Sequence, residues 1–133
     1  MFMSTKATYH KGVGRRKRSS ARAKIYENPT LEVSVNKKPM DQYFQGLFLS
    51  KLKMAIEQAG ITTGKIDVFV RGGGQSGQSD AVKLAIAKAT VTKDEGTRPI
   101  LRLYNLLTTD IRKVLAKRPG KRKARKSEQW SKR

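Results

Sequence analysis

The sequence predicts an α/β fold, a two-layer α+β sandwich in which helices pack on a small mixed sheet. Three short stretches alternate apolar and polar residues with the period of a half-buried strand, and three others repeat apolar residues at helical spacing or open like a helix. Their order along the chain, strands, helix, strand, helices, suits one sandwich. Length supports this: with a basic tail set aside, 133 residues leave a single modest core.

The elements follow in order. Over Ser20 to Tyr26, Ala21, Ala23 and Ile25 alternate with Arg22, Lys24 and Tyr26, a strand with one basic face. Asn28 and Pro29 turn the chain, and Leu31, Val33 and Val35 alternate with Glu32 and Ser34 as a second strand, expected to pair with the first as a hairpin. Tyr9 to Val13 is a weaker candidate for an edge strand, because glycines flank and interrupt it. Asn36 to Pro39 reads as a turn and Met40 to Phe44 as one turn of helix. Phe48, Leu52, Ala55, Ile56 and Ala59 then mark an amphipathic helix, closed by Gly60 as a left-handed cap. Ile66, Val68 and Val70 alternate with Asp67, Phe69 and Arg71 as a further strand. Val82, Ala85, Ile86 and Ala89 mark a second helix, Asp94-Glu95-Gly96 reads as its solvated end, and Arg98 to Leu107, with Pro99 in its first turn, predicts a third. Tyr43, Phe44 and Phe69 are expected in the core, whereas Trp130, among charges, is a candidate to pack on a partner.

Charge is distributed unevenly. Met1 to Lys24 holds eight Lys or Arg and no acid, Ile25 to Ile111 holds eleven against nine acids, and Arg112 to Arg133 holds eleven against one. Pro119 and Gly120 break that last run, which has almost nothing apolar to bury and stays extended unless a polyanion neutralises it. The expected organisation is a flexible N-terminus over 1–8, a globular sandwich over 9–107 and an extended basic tail over 108–133. A polyanion held by both ends is the partner that this polarity suits.

Other classes are disfavoured. Without cysteine the chain builds neither a disulfide framework nor a thiolate metal site, and its single histidine, His10, makes no metal site alone and reads as a surface or RNA-facing residue. No cofactor, metal or small-molecule substrate is expected. No stretch approaches bilayer-spanning length, and the first residues lack the apolar core of a signal peptide, so a soluble intracellular protein is expected. Gly72-Gly73-Gly74-Gln75-Ser76-Gly77-Gln78, between a strand and a helix, is either a plain structural turn or a place where backbone amides approach a phosphate. It lacks the Gly-Lys-Ser/Thr of a P-loop and the spacing of a dinucleotide fingerprint.

Four separated motifs carry a resemblance: Gly14-Arg15-Arg16-Lys17-Arg18-Ser19-Ser20-Ala21-Arg22, Gln42-Tyr43-Phe44, Arg71 to Gln78, and Lys123-Ala124-Arg125 with Gln129-Trp130-Ser131-Lys132-Arg133. In order and spacing, from Tyr9 to Arg133, they resemble the family of the ninth protein of the small ribosomal subunit, in its bacterial or organellar branch. The resemblance implies the sandwich shared with the second domain of the fifth small-subunit protein, with a left-handed crossover where the general rule expects a right-handed one. It also implies binding to the 3′ major (head) domain of small-subunit ribosomal RNA, beside neighbouring head proteins, and a tail that threads toward the anticodon stem-loop of the peptidyl-site transfer RNA. A cytoplasmic bacterial ribosome is the expected setting, ahead of an organellar one. Arg18, Ala85, Asn105, Thr109, Leu115, Ala116 and Trp130 depart from the family's usual residues; a glycine is common at 85 and 105, an arginine at 109 and a phenylalanine at 130.

The expected mechanism is electrostatic and non-catalytic. Arg15, Arg16, Lys17, Arg18 and Arg22 are the expected N-terminal ribosomal RNA contacts, with Gly72, Gly73, Gly74, Gln75, Ser76, Gly77 and Gln78 as a close backbone approach. Arg112, Lys117, Arg118, Lys121, Arg122, Lys123, Arg125 and Lys126 carry the tail through RNA, and Ser131, Lys132 and Arg133 are the expected transfer RNA contacts. Two rivals stay open on sequence: a DNA-compacting protein, for which the same charge suffices, and a phosphoryl-transfer enzyme, for which Asp80 is the nearest magnesium carboxylate.

Overall fold

The computed structural model describes residues 8–133, so the N-terminus expected over 1–8 lies outside the described residues except for Thr8. Five strands form one mixed sheet: β1 (Tyr9–Arg16), β2 (Ser19–Tyr26), β3 (Leu31–Val35), β4 (Lys38–Pro39) and β5 (Gly64–Arg71). Four helices accompany them: α1 (Met40–Tyr43), α2 (Leu47–Gln58), α3 (Gln75–Lys93) and α4 (Arg98–Leu103). A 3₁₀ turn at Glu95–Thr97 leads into α4, capped by Asp94, whose carboxylate accepts from Gly96 N at 2.9 Å. The expected sandwich is the one observed.

Sheet order is β1-β2-β5-β3-β4, which corrects one expectation: β2 and β3 are not a hairpin. β5 lies between them, antiparallel to β2 and parallel to β3, while β2 takes β1 as its other antiparallel neighbour. Alternation identifies which face a strand buries, and it carries no information about which strand lies beside it. β1 is also longer than the glycines suggested, because those glycines serve the packing. A β-carbon on Gly12 would strike Ala85 O and Ala89 N, and one on Gly14 would strike Ala81 O and Ala85 N. Backbone therefore meets backbone where β1 crosses α3, and Ala81, Ala85 and Ala89 form the small-residue row that permits it.

The main core joins Ala21, Ala23 and Ile25 of β2 to Ile66, Val68 and Val70 of β5, under Leu52 and Ile56 of α2 and Val82, Ala85 and Ile86 of α3. Each fully buried Ile or Leu contributes roughly 1.5–3 kcal/mol. A second cluster, Ala55, Ala59, Ala87, Leu101 and Leu106, seats α4. This helix ends at Leu103 and not at Leu107, because Asn105 turns left-handed at φ 54°. Asn105 N then bonds Arg102 O at 3.1 Å and Leu106 N bonds Leu101 O at 3.0 Å, the Schellman pattern that returns Leu106 to the core. Gly60, at φ 68°, ends α2 in the same way.

Among the described residues, one face of the sheet is covered by helices and the other is open. Phe44 is fully buried and Tyr43 half-buried, as expected, but Phe69 is 59% exposed on the open face. Its alternation with buried Val68 and Val70 puts it there. His10 shares the inner alternation of Gly12 and Gly14 and is half-buried, so it does not stand free on the surface.

Candidate nucleic-acid interface

The structure brings two of the sequence motifs to one corner. β1 and β2 are joined by the two-residue turn Lys17-Arg18, and Lys17 holds a left-handed φ of 53° that glycine or asparagine adopts more easily. Against this turn lies the glycine-rich segment. A β-carbon on Gly72 would meet Arg18 O at 2.7 Å, and one on Gly73 would strike the Ser19 hydroxyl. Gly72 and Gly73 also adopt φ of 76° and 66°. Ser19 Oγ donates to Gly72 O at 3.0 Å and closes the contact.

Gln75, Ser76, Gly77 and Gln78 form the first turn of α3. The first helical bond runs from Gln78 N to Gly74 O at 2.9 Å, so the amides of Gln75, Ser76 and Gly77 precede the ladder, and no acid occupies that turn. Gly72 to Ser76 are exposed, Gly77 is buried against Ser19 and Arg16 O, and Gln78 is half-buried. A polar chain fixes the corner from behind. Asn36 exchanges two bonds with Val70 through its side-chain amide, 2.8 Å from Val70 N and 3.1 Å to Val70 O, which adds one rung to the β3–β5 ladder. Asn36 Nδ2 donates to Tyr43 Oη at 3.4 Å, Tyr43 Oη donates to Gln78 Oε1 at 2.9 Å, and Gln78 Nε2 donates to Gly72 O at 3.0 Å. These partners were not readable as a network, since they come from four separate elements.

The basic residues divide in two. Arg15, Lys17, Arg18 and Arg22 are exposed, with no carboxylate ion-paired to them among the described residues. Arg16 is different: its Nε lies 3.7 Å from Asp80 Oδ2 and its Nη1 lies 3.2 Å from Asp110 Oδ2. Asp110 in turn receives a two-pronged contact from the Arg112 guanidinium and a bond from Arg112 N at 2.9 Å. That side-chain hydrogen bond from Arg112, then the backbone one, holds the Asp110 carboxyl well below the usual carboxylate range, and the same contact raises the Arg112 pKa. Arg16 thus anchors the root of the tail, a role that sequence reading missed because its partners stand 64 and 94 positions away. Lys88 Nζ donates to Thr109 Oγ1 at 3.4 Å in the same region, where an arginine would have met a like charge.

From Tyr104 to Arg133 the chain forms no helix or strand. Every residue from Arg112 on is exposed except half-buried Ala124, so Lys117, Arg118, Lys121, Arg122, Lys123, Arg125, Lys126, Ser131, Lys132 and Arg133 all face solvent, as does Trp130. Local bonds such as Arg122 N to Lys126 O at 2.8 Å bend the segment around Pro119 and Gly120. Nothing in the structure explains Leu115 and Ala116. Asp80, which a magnesium-dependent site would require, is occupied by Arg16 and by Lys83 at 3.8 Å.

Comparison with known proteins bears on the same residues. Residues 14–133 match the family model described as Ribosomal protein S9/S16. The small ribosomal subunit protein uS9 of Chlorobaculum parvum is 48% identical over 127 residues, covering 91% of this chain and 95% of that protein. Those of Chlorobaculum tepidum and Chlorobium chlorochromatii are 45% and 44% identical, each over 91% of this chain and 95% of theirs. The match takes in the hairpin turn, the glycine-rich corner and the whole tail, and this chain therefore belongs to the ribosomal protein S9/S16 family, as a bacterial-type structural component of the small ribosomal subunit and not an enzyme.

Proposed function

We propose that this protein binds the head (3′ major) domain of small-subunit ribosomal RNA through the corner where the Lys17-Arg18 turn meets the start of α3, and that its tail runs on through RNA to the anticodon stem-loop of the peptidyl-site transfer RNA. The observation that carries this reading is the convergence of exposed cations, uncommitted helix amides and the tail root on one corner. Arg15, Lys17, Arg18 and Arg22 neutralise phosphates, and the exposed Gln75 and Ser76 offer backbone donors to one more, while buried Gly77 lets the helix start close on Ser19. Beyond Arg112, whose guanidinium Asp110 holds, Lys117, Arg118, Lys121, Arg122, Lys123, Arg125 and Lys126 continue that path in the tail, with Ser131, Lys132 and Arg133 at its end. Arg133 can grip a phosphate with two parallel donors, which an ammonium cannot. Neighbouring head proteins are further partners, and the bacterial cytoplasm is the setting.

The test uses small subunits assembled with full-length protein or with a form lacking Lys132 and Arg133. Assembly, followed by co-sedimentation after a high-salt wash, should be unchanged, while filter binding of transfer RNA to the peptidyl site should weaken a few-fold. Unchanged transfer RNA affinity removes the tail's contact. Full-length protein left at the top of the gradient removes the ribosomal RNA reading itself.

A further inference from the structure

We propose that the open face of the sheet is a second RNA surface, on which an unpaired segment of the bound ribosomal RNA stacks a base on Phe69; this rests on the ribosomal RNA reading above. Strand register lays the face out in rows. Val13, Arg22 and Phe69 lie side by side across β1, β2 and β5; Lys11, Lys24 and Asp67 form the next row, and Tyr9, Tyr26 and Lys65 the one after. Phe69, on the central strand β5, is 59% exposed, and Val13, in the same row on the edge strand β1, is 43% exposed. At the other end Tyr9 and Tyr26 pack with ring centres 5.6 Å apart, and Lys24 Nζ stands 4.7 Å over the Tyr9 ring. Four residues of strand, about 13 Å, separate the two aromatic positions.

Charge selects the occupant. By alternation the face presents Lys11, Arg15, Arg22, Lys24, Lys65 and Arg71 against only Glu32 and Asp67, and Asp67 already accepts from Ser34 Oγ at 2.7 Å. Protein interfaces deplete charge at their centres, whereas this face sets a cation beside each ring. Rings interleaved with cations on an open sheet face fit bases and phosphates in alternation. A duplex hides its base faces, so the segment must be unpaired. Lys37, on the turn into β4, and Lys38, in β4, wall the groove of about 900 Å³ that runs along this face.

The experiment measures binding of full-length protein to a transcript of the bacterial small-subunit 3′ domain over a salt series. Phe69→Ala should weaken binding about tenfold without changing the salt slope, since it removes stacking and no phosphate contact. Arg22→Ala should lower the slope by about one. Phe69→Trp, in a Trp130→Phe background, should keep the affinity and show indole fluorescence quenched by the transcript. Because Phe69 is exposed, Phe69→Ala should melt as the parent does, and if it does not, the quenching of Phe69→Trp decides alone. Affinity of Phe69→Ala within twofold of the parent, with an unquenched indole, overturns the inference and leaves the ribosomal RNA reading standing. The same holds if Phe69→Ala binds RNA normally yet fails to enter subunits, which marks a protein occupant. A parent that binds the transcript no better than duplex DNA removes both.

Discussion

Tyr43 Oη lies 2.9 Å from Gln78 Oε1, and through that one bond the short helix after the sheet edge holds the first turn of α3. Tyr43→Phe keeps the half-buried ring and removes the bond, leaving Gln78 and Asn36 each short of a partner. Stability should fall by about 1 kcal/mol. Urea unfolding of the two proteins, compared at equal m-value, measures it.

Gly14 gives a harsher result. A methyl group there would overlap Ala81 O and Ala85 N, both fixed in helix backbone, so Gly14→Ala must push β1 off α3. The expected loss is about 3 kcal/mol. Thermal melting should show it, and a variant that melts like the parent would mean that β1 and α3 do not meet so closely.

At Asn105 the φ of 54° orders three residues by their tolerance of the left-handed region. Asn105→Gly should match or slightly exceed the parent in melting temperature, and Asn105→Ala should lose about 1 kcal/mol. Asparagine here thus meets a backbone demand that glycine meets at least as well.

Asp110 supplies a titration test. Its folded pKa is depressed, so the contribution of its contacts is fully present above the ordinary carboxylate value and is lost only as the pH falls through the lower folded one. Between pH 5 and 8 the tail root should not respond. The carboxyl carbon of Asp110, followed by NMR, should titrate below the usual carboxylate range; Arg112→Ala should move the midpoint up strongly and Arg16→Ala only weakly, in the order of their contacts.

Salt dependence separates the arginines of the turn. Replacing Arg15, Lys17 and Arg18 with alanine should flatten the salt slope of RNA binding by roughly two to three, at about 0.7 to 0.9 per phosphate contact. Arg16→Ala, by contrast, should alter the slope little and instead free Asp110 and the tail root. Lys17→Gly should bind RNA less well yet unfold at higher urea, because glycine relieves the φ of 53°.

Periodicity identified β2, β3, β5 and the buried faces of α2 and α3, because apolar spacing is a local property. Pairing is not local. β5 separates β2 from β3 only because a 19-residue α3 and a 12-residue α2 pack over the same core, and no residue of β2 encodes that. The glycines of β1 looked like breakers until the Ala81, Ala85 and Ala89 row gave them a neighbour. In the interface, the basic runs were visible as composition. That Arg16 differs from Arg15 and Lys17 depended on carboxylates at Asp80 and Asp110, which only the fold brings within reach.

The anchoring of Asp110 by Arg16 has a consequence for how weakly the tail can bind. If the folded part docks through that corner as proposed, the tail is tethered beside it, and each tail contact becomes an intramolecular event with an effective concentration of about millimolar. On that proposal Lys132 and Arg133 need no useful affinity of their own, and as a free peptide the tail should lose its site. Selectivity can then reside in the sandwich and reach in the tail, a division of labour that leaves the tail free to release its ligand quickly.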